Sequence, residues 1–409
     1  MFYNLKNNSL YISMLLVLSL LLITNNFSVG VIAITIILSL ISIFKNGVTK
    51  LNSFDKLIIC IFFSYFLGAI PVAIADGSTL RYFQGGARLL LCLPIYLFIR
   101  NHTEISISKA IKAMQIGSII GSTGAFLFAV YQYFILGMPR VDGYLFSINY
   151  GYLACSLMFI NVSLSYKSNM KLLLYFAATA ALISTVLTFT RGAILAIPLL
   201  LCFAAILNFK YISLKKFLLL LISFVLISIT VYYTSSAVQQ RTDFTINEVS
   251  YIINGHVAES SSTGARLQLW VAASYAFKNA PITGLPYSER EKLNQQLFEN
   301  DVVSDWVATV ARGHAHSQYF EMLASNGIWG IISIIFIFFI PLYIFTKHYL
   351  NNDSIIGFTA ALFVAGFMIY GLTEVPLQAN LIGSYYGFML AVFFAIVHQE
   401  RYPNVEKKS

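Results

Sequence analysis

Apolar stretches close to twenty residues long recur from one end of this sequence to the other, and they constrain the fold more than any other feature. A helix needs about 20 apolar residues to cross the hydrocarbon layer of a bilayer, where the backbone must satisfy its own polar groups. Twelve runs fit, at residues 9–25, 28–44, 57–75, 86–99, 110–136, 144–165, 171–189, 192–209, 215–233, 327–346, 354–373 and 380–398. The fourth is short, and the seventh and eighth are divided only by Arg191-Gly192. The chain is 58% hydrophobic and only 11% charged, with a mean hydropathy of +0.75, which excludes an ordinary soluble domain. The expected fold class is all-α: a polytopic integral membrane protein of about twelve transmembrane helices with one large, mostly helical outer loop. Residues 1–233 supply spans one to nine, 234–326 the loop, and 327–409 the last three spans and a tail. The first run has no small-residue cleavage site behind a short apolar core, so it reads as a helix and not as a removable signal peptide.

Lysine and arginine set the orientation, because positive residues accumulate in short cytoplasmic loops. With twelve spans both termini share a face. That face carries sixteen bases, including Lys6, Lys45, Lys50, Lys109, Lys167, Lys347 and Arg401, against five acids, a net of +11; the opposite face, with ten bases and twelve acids, has a net of −2. Both termini are therefore expected in the cytoplasm. The basic balance is a matter of topology and points to no nucleic-acid partner. The two basic residue types are also sorted. Fourteen lysines and two arginines lie inside, whereas outside are eight arginines (Arg81, Arg88, Arg140, Arg191, Arg241, Arg266, Arg290, Arg312) and two lysines. Arginine's planar fork suits bidentate contacts with phosphate or carboxylate, so the outer face suggests an anionic, phosphorylated ligand; the alternative is interfacial anchoring and pairing with outer acids. The four cysteines, Cys60, Cys92, Cys155 and Cys202, all lie in apolar runs without C-x-x-C spacing, which suggests neither a disulfide framework nor a thiolate metal site.

One connection stands apart. About 93 residues, Thr234–Asn326, separate the ninth and tenth runs, and long loops are more often functional than not. Within it Gln239–Ser250 is polar and turn-like, and Ala258–Gly264 is a small-residue linker. A helix at Ala265–Lys278 puts Leu267, Trp270, Val271 and Ser274 on one face. Asn279–Tyr287 breaks it with two prolines and a glycine, and a charged helix follows at Ser288–Asn300. The segment reads as a small helical cap, with too little apolar material for a core of its own. All three tryptophans, Trp270, Trp306 and Trp329, fall here or at its edge; they suit interfacial anchoring, or stacking on sugars.

The loop closes on His314–Gly330, HAHSQYFEMLASNGIWG. A helix beginning at His316 would place His316, Phe320, Leu323 and Gly327 on one stripe, with the imidazole at its outer end. Histidine titrates near neutral pH and can take a proton from a hydroxyl nucleophile; capping or interfacial roles are the alternative. The His-x-His pair could bind metal, but no third ligand is spaced to complete such a site. Arg191, in TFTRGA, sits at the membrane edge, where ionisable groups are costly. Arg266, in TGARLQLW, stands at a helix start, where a guanidinium beside exposed N–H groups would make an anion site. Arg81 and Arg88 flank RYFQGGAR and could add to it. Glu374, before Val375-Pro376, is expected to pair with one of these arginines as structural support.

Three elements together resemble the O-antigen ligase family, the WaaL-type proteins of the O-antigen ligase and polymerase superfamily: TFTRGA at 188–193, G-x-R-x-x-x-W at Gly264–Trp270, and H-S-x-Y-x-x-x-L-x-x-x-G-x-x-G from His316 to Gly330. The plan of about twelve spans with one large late outer loop is also similar. The resemblance implies an inverting, metal-independent glycosyltransferase of the GT-C type that needs no cofactor. It would act on the periplasmic face of a bacterial inner membrane, moving glycan from undecaprenyl diphosphate to a sugar hydroxyl of lipid A–core. By the same resemblance Arg191 and Arg266 hold the carrier diphosphate and His316 orients or deprotonates the acceptor hydroxyl. Arg81, Arg88, Arg312 and His314 are further candidates for binding the diphosphate. An O-antigen polymerase would use the same donor with a carrier-linked acceptor. Protein-glycosylating relatives tend to carry an extra outer region after the histidines, and a transporter predicts polar residues at mid-membrane; the sequence disfavours both.

Overall fold

The computed structural model describes residues 2–77, 80–101, 105–209, 232–254 and 262–402, with single positions in the intervals between. Ten positions of the ninth apolar run and three of the Ala258–Gly264 linker lie outside the described residues. Among the described residues every regular element is helical. Six helices among the described residues are long and apolar enough to cross a membrane, over 27–46, 53–76, 80–101, 107–135, 318–352 and 380–401, and shorter apolar helices occupy 8–20, 171–187, 191–207 and 355–370. The short fourth run is thus the middle of a 22-residue helical stretch that starts at Leu80.

The chain divides into two compact units. The first gathers Met1–Ile197, Ile332–Gly371 and Val375–Ser409; the second gathers Pro198–Ile331 and Leu372–Glu374.

In the first unit, α1 (Phe2–Leu20) packs on α7 (Ile107–Val130), which also meets α8 (Ser147–Leu164) and α9 (Lys171–Leu187). The α1–α7 crossing depends on small residues. A side chain at Gly121 would collide with the Leu18 carbonyl, and one at Gly117 would lie 2.6 Å from that of Leu15. Such spacing lets backbones approach where water cannot drive helices together. Polar side chains tie α7 to α8: Asn161, fully buried, donates to Ser122 Oγ at 2.8 Å and accepts from Ser118 Oγ at 2.8 Å.

The other half of this unit is centred on α18 (Asn380–Arg401), apolar on all sides and buried from Leu381 to His398, as a helix with no polar face must be. It packs against α2 (Phe27–Asn46), α5 (Gln84–Leu90), α6 (Leu93–Asn101) and α17 (Ile355–Tyr370). At one end lies a buried ion pair. Asn52 and Asp55 form a capping box at the start of α3 (Ser53–Gly68). Asp55 then takes Arg100 at 3.0 Å and the Tyr96 hydroxyl at 2.6 Å.

The second unit holds the long loop. Here α11 spans Ser236–Ile253, so the polar stretch 239–250 is helical and not turn-like. It contains no glycine or proline to stop a helix, and Ser235 caps its start by accepting from the Val238 N–H. The expected helix at 265–278 forms α12 (Thr263–Asn279), and the charged helix forms α13 (Tyr287–Glu299), each within two residues of its expected start. Contrary to expectation, the unit has a small core of its own: Leu269, Ala272, Ala273, Ala276, Leu293, Leu297, Val303, Val307, Ala315 and Ala324. Half of these are alanines. The core comes from close approach of thin helices, which a search for large apolar residues misses.

Candidate functional site

The histidines lie in the second unit, on the loop before α15 (Gln318–Ile334). His316 does not begin a helix. Its φ is +45°, in the left-handed region, and Arg312 (+59°) and Gly313 (+61°) share that conformation. The expected stripe is broken at its other end as well. Gly327 has φ +58°, a kink that divides α15. A Cβ there would lie 2.5 Å from the Pro281 carbonyl, which accepts from the Ile328 N–H at 2.8 Å. Only glycine fits this crossing, because only glycine lacks both the clash and the left-handed penalty.

A loop with three residues at positive φ needs outside support, since each costs free energy. Arg290 of α13 supplies it. The guanidinium is buried and paired with Glu321 at 2.8 Å; it donates to Ser325 Oγ at 2.6 Å and to the Gly313 carbonyl. Glu321 in turn accepts from the Ala315 N–H at 2.9 Å and from Ser325 Oγ at 3.0 Å. One ion pair therefore grips the loop backbone on both sides of His314. The sequence placed Arg290 among the outer arginines and Glu321 near the histidines, but nothing in their spacing joins them.

His316 meets a partner that lies 58 residues away. Its Nδ1–H donates to the Glu374 carboxylate, at 3.1 and 3.2 Å from the two oxygens, while the Gln318 N–H donates to the Glu374 carbonyl at 2.9 Å. Nothing in the sequence spacing joins His316 to Glu374. The bond fixes the tautomer and leaves Nε2 with the lone pair. His316 is 34% exposed and Glu374 15%, so the ring is held yet reachable. His314 stacks edge-on against His316, with ring centroids 4.5 Å apart, and its Nδ1 accepts from the His316 N–H at 3.3 Å. Burial pushes the His314 pKa below the usual value, with the carboxylate of Glu321 pulling the other way. Arg312 is exposed, its N–H donating to Glu291 at 2.5 Å and its guanidinium over the Tyr287 ring.

Arg266 opens α12 in the same unit. The helix start is not bare: Glu248, buried, accepts from the Ser262 N–H at 2.6 Å and from the Thr263 hydroxyl at 3.2 Å. A carboxylate of the chain itself already sits where an anion was expected to use the backbone. What remains for a ligand is the guanidinium, whose Nε is buried without a hydrogen-bond partner. One turn on, Trp270 stacks on Phe320 at 5.0 Å and 10° between planes. Arg266 stands four residues before Trp270 and His316 four before Phe320, so the stack ties the two candidates' elements together. It also gives Trp270 a packing role. The face foreseen on α12 is real: Leu267, Trp270, Val271 and Ser274 line one groove of about 390 Å³ with Phe320.

In the first unit, Arg191 is the first residue of α10 (Arg191–Leu207), so the break between helices falls at Thr188–Thr190 and not after the arginine. Phe189 takes φ +49° there, and Arg140 holds the turn by donating to the Thr188 carbonyl at 3.0 Å. In the sequence Arg140 is one outer arginine among eight. Arg88 braces the approach to α18, donating to the Gln378 carbonyl at 2.8 Å and Asn380 Oδ1 at 3.2 Å. Arg81 is exposed on the short turn Leu80–Phe83.

Residues 176–335 match the model of a family described as O-antigen ligase. This range takes in Arg191, Arg266 and His316. An uncharacterized protein of Haemophilus influenzae is 26% identical over 315 residues, covering 74% of this chain and 76% of its own length. A protein of Escherichia coli K12 named O-antigen ligase is 25% identical over 343 residues, covering 80% of this chain and 79% of its own. The resemblance to the O-antigen ligase family is thereby shown, over residues 176–335 by the family's own pattern and over most of the chain by a relative that carries the family's name.

Proposed function

We propose that the chain is an O-antigen ligase: an inverting glycosyltransferase, needing no metal or cofactor, that moves glycan from undecaprenyl diphosphate to a sugar hydroxyl of lipid A–core. The observation that carries this reading is the His316–Glu374 dyad, whose histidine lies in the family-matched segment. With its Nδ1–H committed to Glu374, Nε2 takes the proton of the acceptor hydroxyl as that oxygen attacks the anomeric carbon from the face opposite the diphosphate. The bond from that carbon to the phosphate oxygen breaks, and the carrier leaves as undecaprenyl diphosphate. Arg191 and Arg266 offset the charge that develops on the leaving group, an interaction worth most in a site that excludes water. Arg81, Arg88, Arg312 and His314 are secondary in this scheme; the bonds of Arg88 already favour a bracing role.

In this reading the chain crosses a bacterial inner membrane about twelve times, with both termini in the cytoplasm and residues 234–326 forming a periplasmic loop between the helices of 1–233 and 327–409. Deleting the gene and analysing lipopolysaccharide tests it. A ligase predicts bare core with carrier-linked polymer accumulating. Core bearing a single repeat unit would make the chain a polymerase, and glycan trapped on the cytoplasmic side would make it a transporter. Complementation with His316→Ala should fail, with transfer reduced by ~10²–10⁴, and Arg191→Ala and Arg266→Ala should fail likewise at unchanged membrane abundance.

A further inference from the structure

The sequence offered His-x-His without a third ligand, and the fold supplies one. One nitrogen from each of His314 and His316 and one carboxylate oxygen of Glu374 lie within 4.8 Å of one another, each residue half-buried. Two imidazoles and a carboxylate around one point are the donor set that borderline-soft divalent ions favour, zinc above all. Zinc bonds at about 2.0–2.2 Å to nitrogen and carboxylate oxygen, which requires the three atoms to close in by about an ångström. Two of the described contacts would change. The His316 N–H reaches His314 at 3.3 Å, and the His316–Glu374 bond would give way to two metal bonds. The ring positions are otherwise set, because the Arg290–Glu321 pair fixes the Gly313 carbonyl and the Ala315 N–H on either side of His314.

We infer that His314, His316 and Glu374 form an inhibitory zinc site, in which the metal takes the place of the proton that the reaction delivers to His316. The argument is one of lone pairs and rests on the role given to His316 above. A neutral imidazole has one basic nitrogen. If zinc binds Nδ1, the remaining Nε2 carries the proton and can only donate; if zinc binds Nε2, the lone pair is consumed. Either way the ring cannot accept a proton from the acceptor hydroxyl, and Glu374 no longer orients it. Zinc here is a competitor for the base and not its helper.

The test uses the full-length protein in phospholipid nanodiscs, stripped with EDTA and titrated with zinc chloride by calorimetry, in parallel with transfer from lipid-linked glycan to lipid A–core. The expected result is one zinc per chain, transfer falling over the same zinc range, and recovery on adding EDTA. His314→Ala, His316→Ala and Glu374→Gln should each weaken zinc binding by at least about tenfold, the scale on which even the outer partners of metal ligands act. Absence of binding, or binding that survives all three substitutions, overturns the site while leaving the ligase reading intact. Zinc held by the triad with undiminished transfer overturns inhibition and the base role of His316 together. A requirement for zinc overturns inhibition and the metal-free mechanism.

Discussion

Two buried ion pairs, Asp55–Arg100 in the first unit and Arg290–Glu321 in the second, are chemically alike and hold different things. Both have side chains exposed by 4% or less, at 3.0 and 2.8 Å, and each has a neighbouring hydroxyl, Tyr96 or Ser325, to satisfy a remaining valence. The first joins the capped start of α3 to the end of α6, and its arginine also donates to the Thr49 and Lys50 carbonyls of the connection before α3. The second grips a loop in which Arg312, Gly313 and His316 all have positive φ. Burial of a charge pair alone says little, since such pairs often contribute little net stability. What distinguishes the second is the conformation it maintains: it holds the imidazoles in positions that the local sequence would not adopt unaided.

The largest expected effect comes from breaking each pair in turn. Arg290→Ala and Arg100→Ala each leave a buried carboxylate uncompensated and should cost about 3–5 kcal/mol, measured by thermal unfolding in nanodiscs. Only Arg290→Ala should also abolish transfer per folded molecule; equal loss in Arg100→Ala would erase the distinction. Gly327→Ala comes next, at roughly 1–3 kcal/mol from backbone strain before the contact with Pro281 is counted. Ser325→Ala should cost about 1.5–3 kcal/mol, as loss of a hydrogen bond to a charged group, and a cost near zero would mean that the hydroxyl only fills space. Last is the double replacement Arg290→Met with Glu321→Leu, which should cost less than Arg290→Ala because no charge is left buried alone. Transfer should still be lost, because the Gly313 carbonyl and the Ala315 N–H have no partners. Retained transfer would show that the loop holds itself.

Much of this was legible in the sequence. Periodicity located α12 and α13, and the apolar runs located the candidate spans, because burial and helical repeat leave their mark on consecutive residues. The histidine loop left only half its mark. HAHSQY showed the chemistry, but the left-handed backbone at His316 is imposed by Arg290 and Glu321, which lie 26 residues before it and five after. Glu374 was expected as structural support, but its bond to His316 was not foreseen, since no local rule connects a carboxylate beyond one span to a loop before another. Nothing in the sequence marks Glu248. Its stretch reads as polar and loop-like until α11 is seen to carry that side chain to the start of α12.

The helix most completely enclosed in the first unit, α18, follows all of its neighbours in the chain. Synthesis proceeds from the N-terminus, so α2, α5, α6 and α17 must wait with their facing surfaces against lipid until their centrepiece emerges. A ribosome that stalls before Asn380 would leave a protein inserted but hollow, with the Arg88 brace lacking its Asn380 partner.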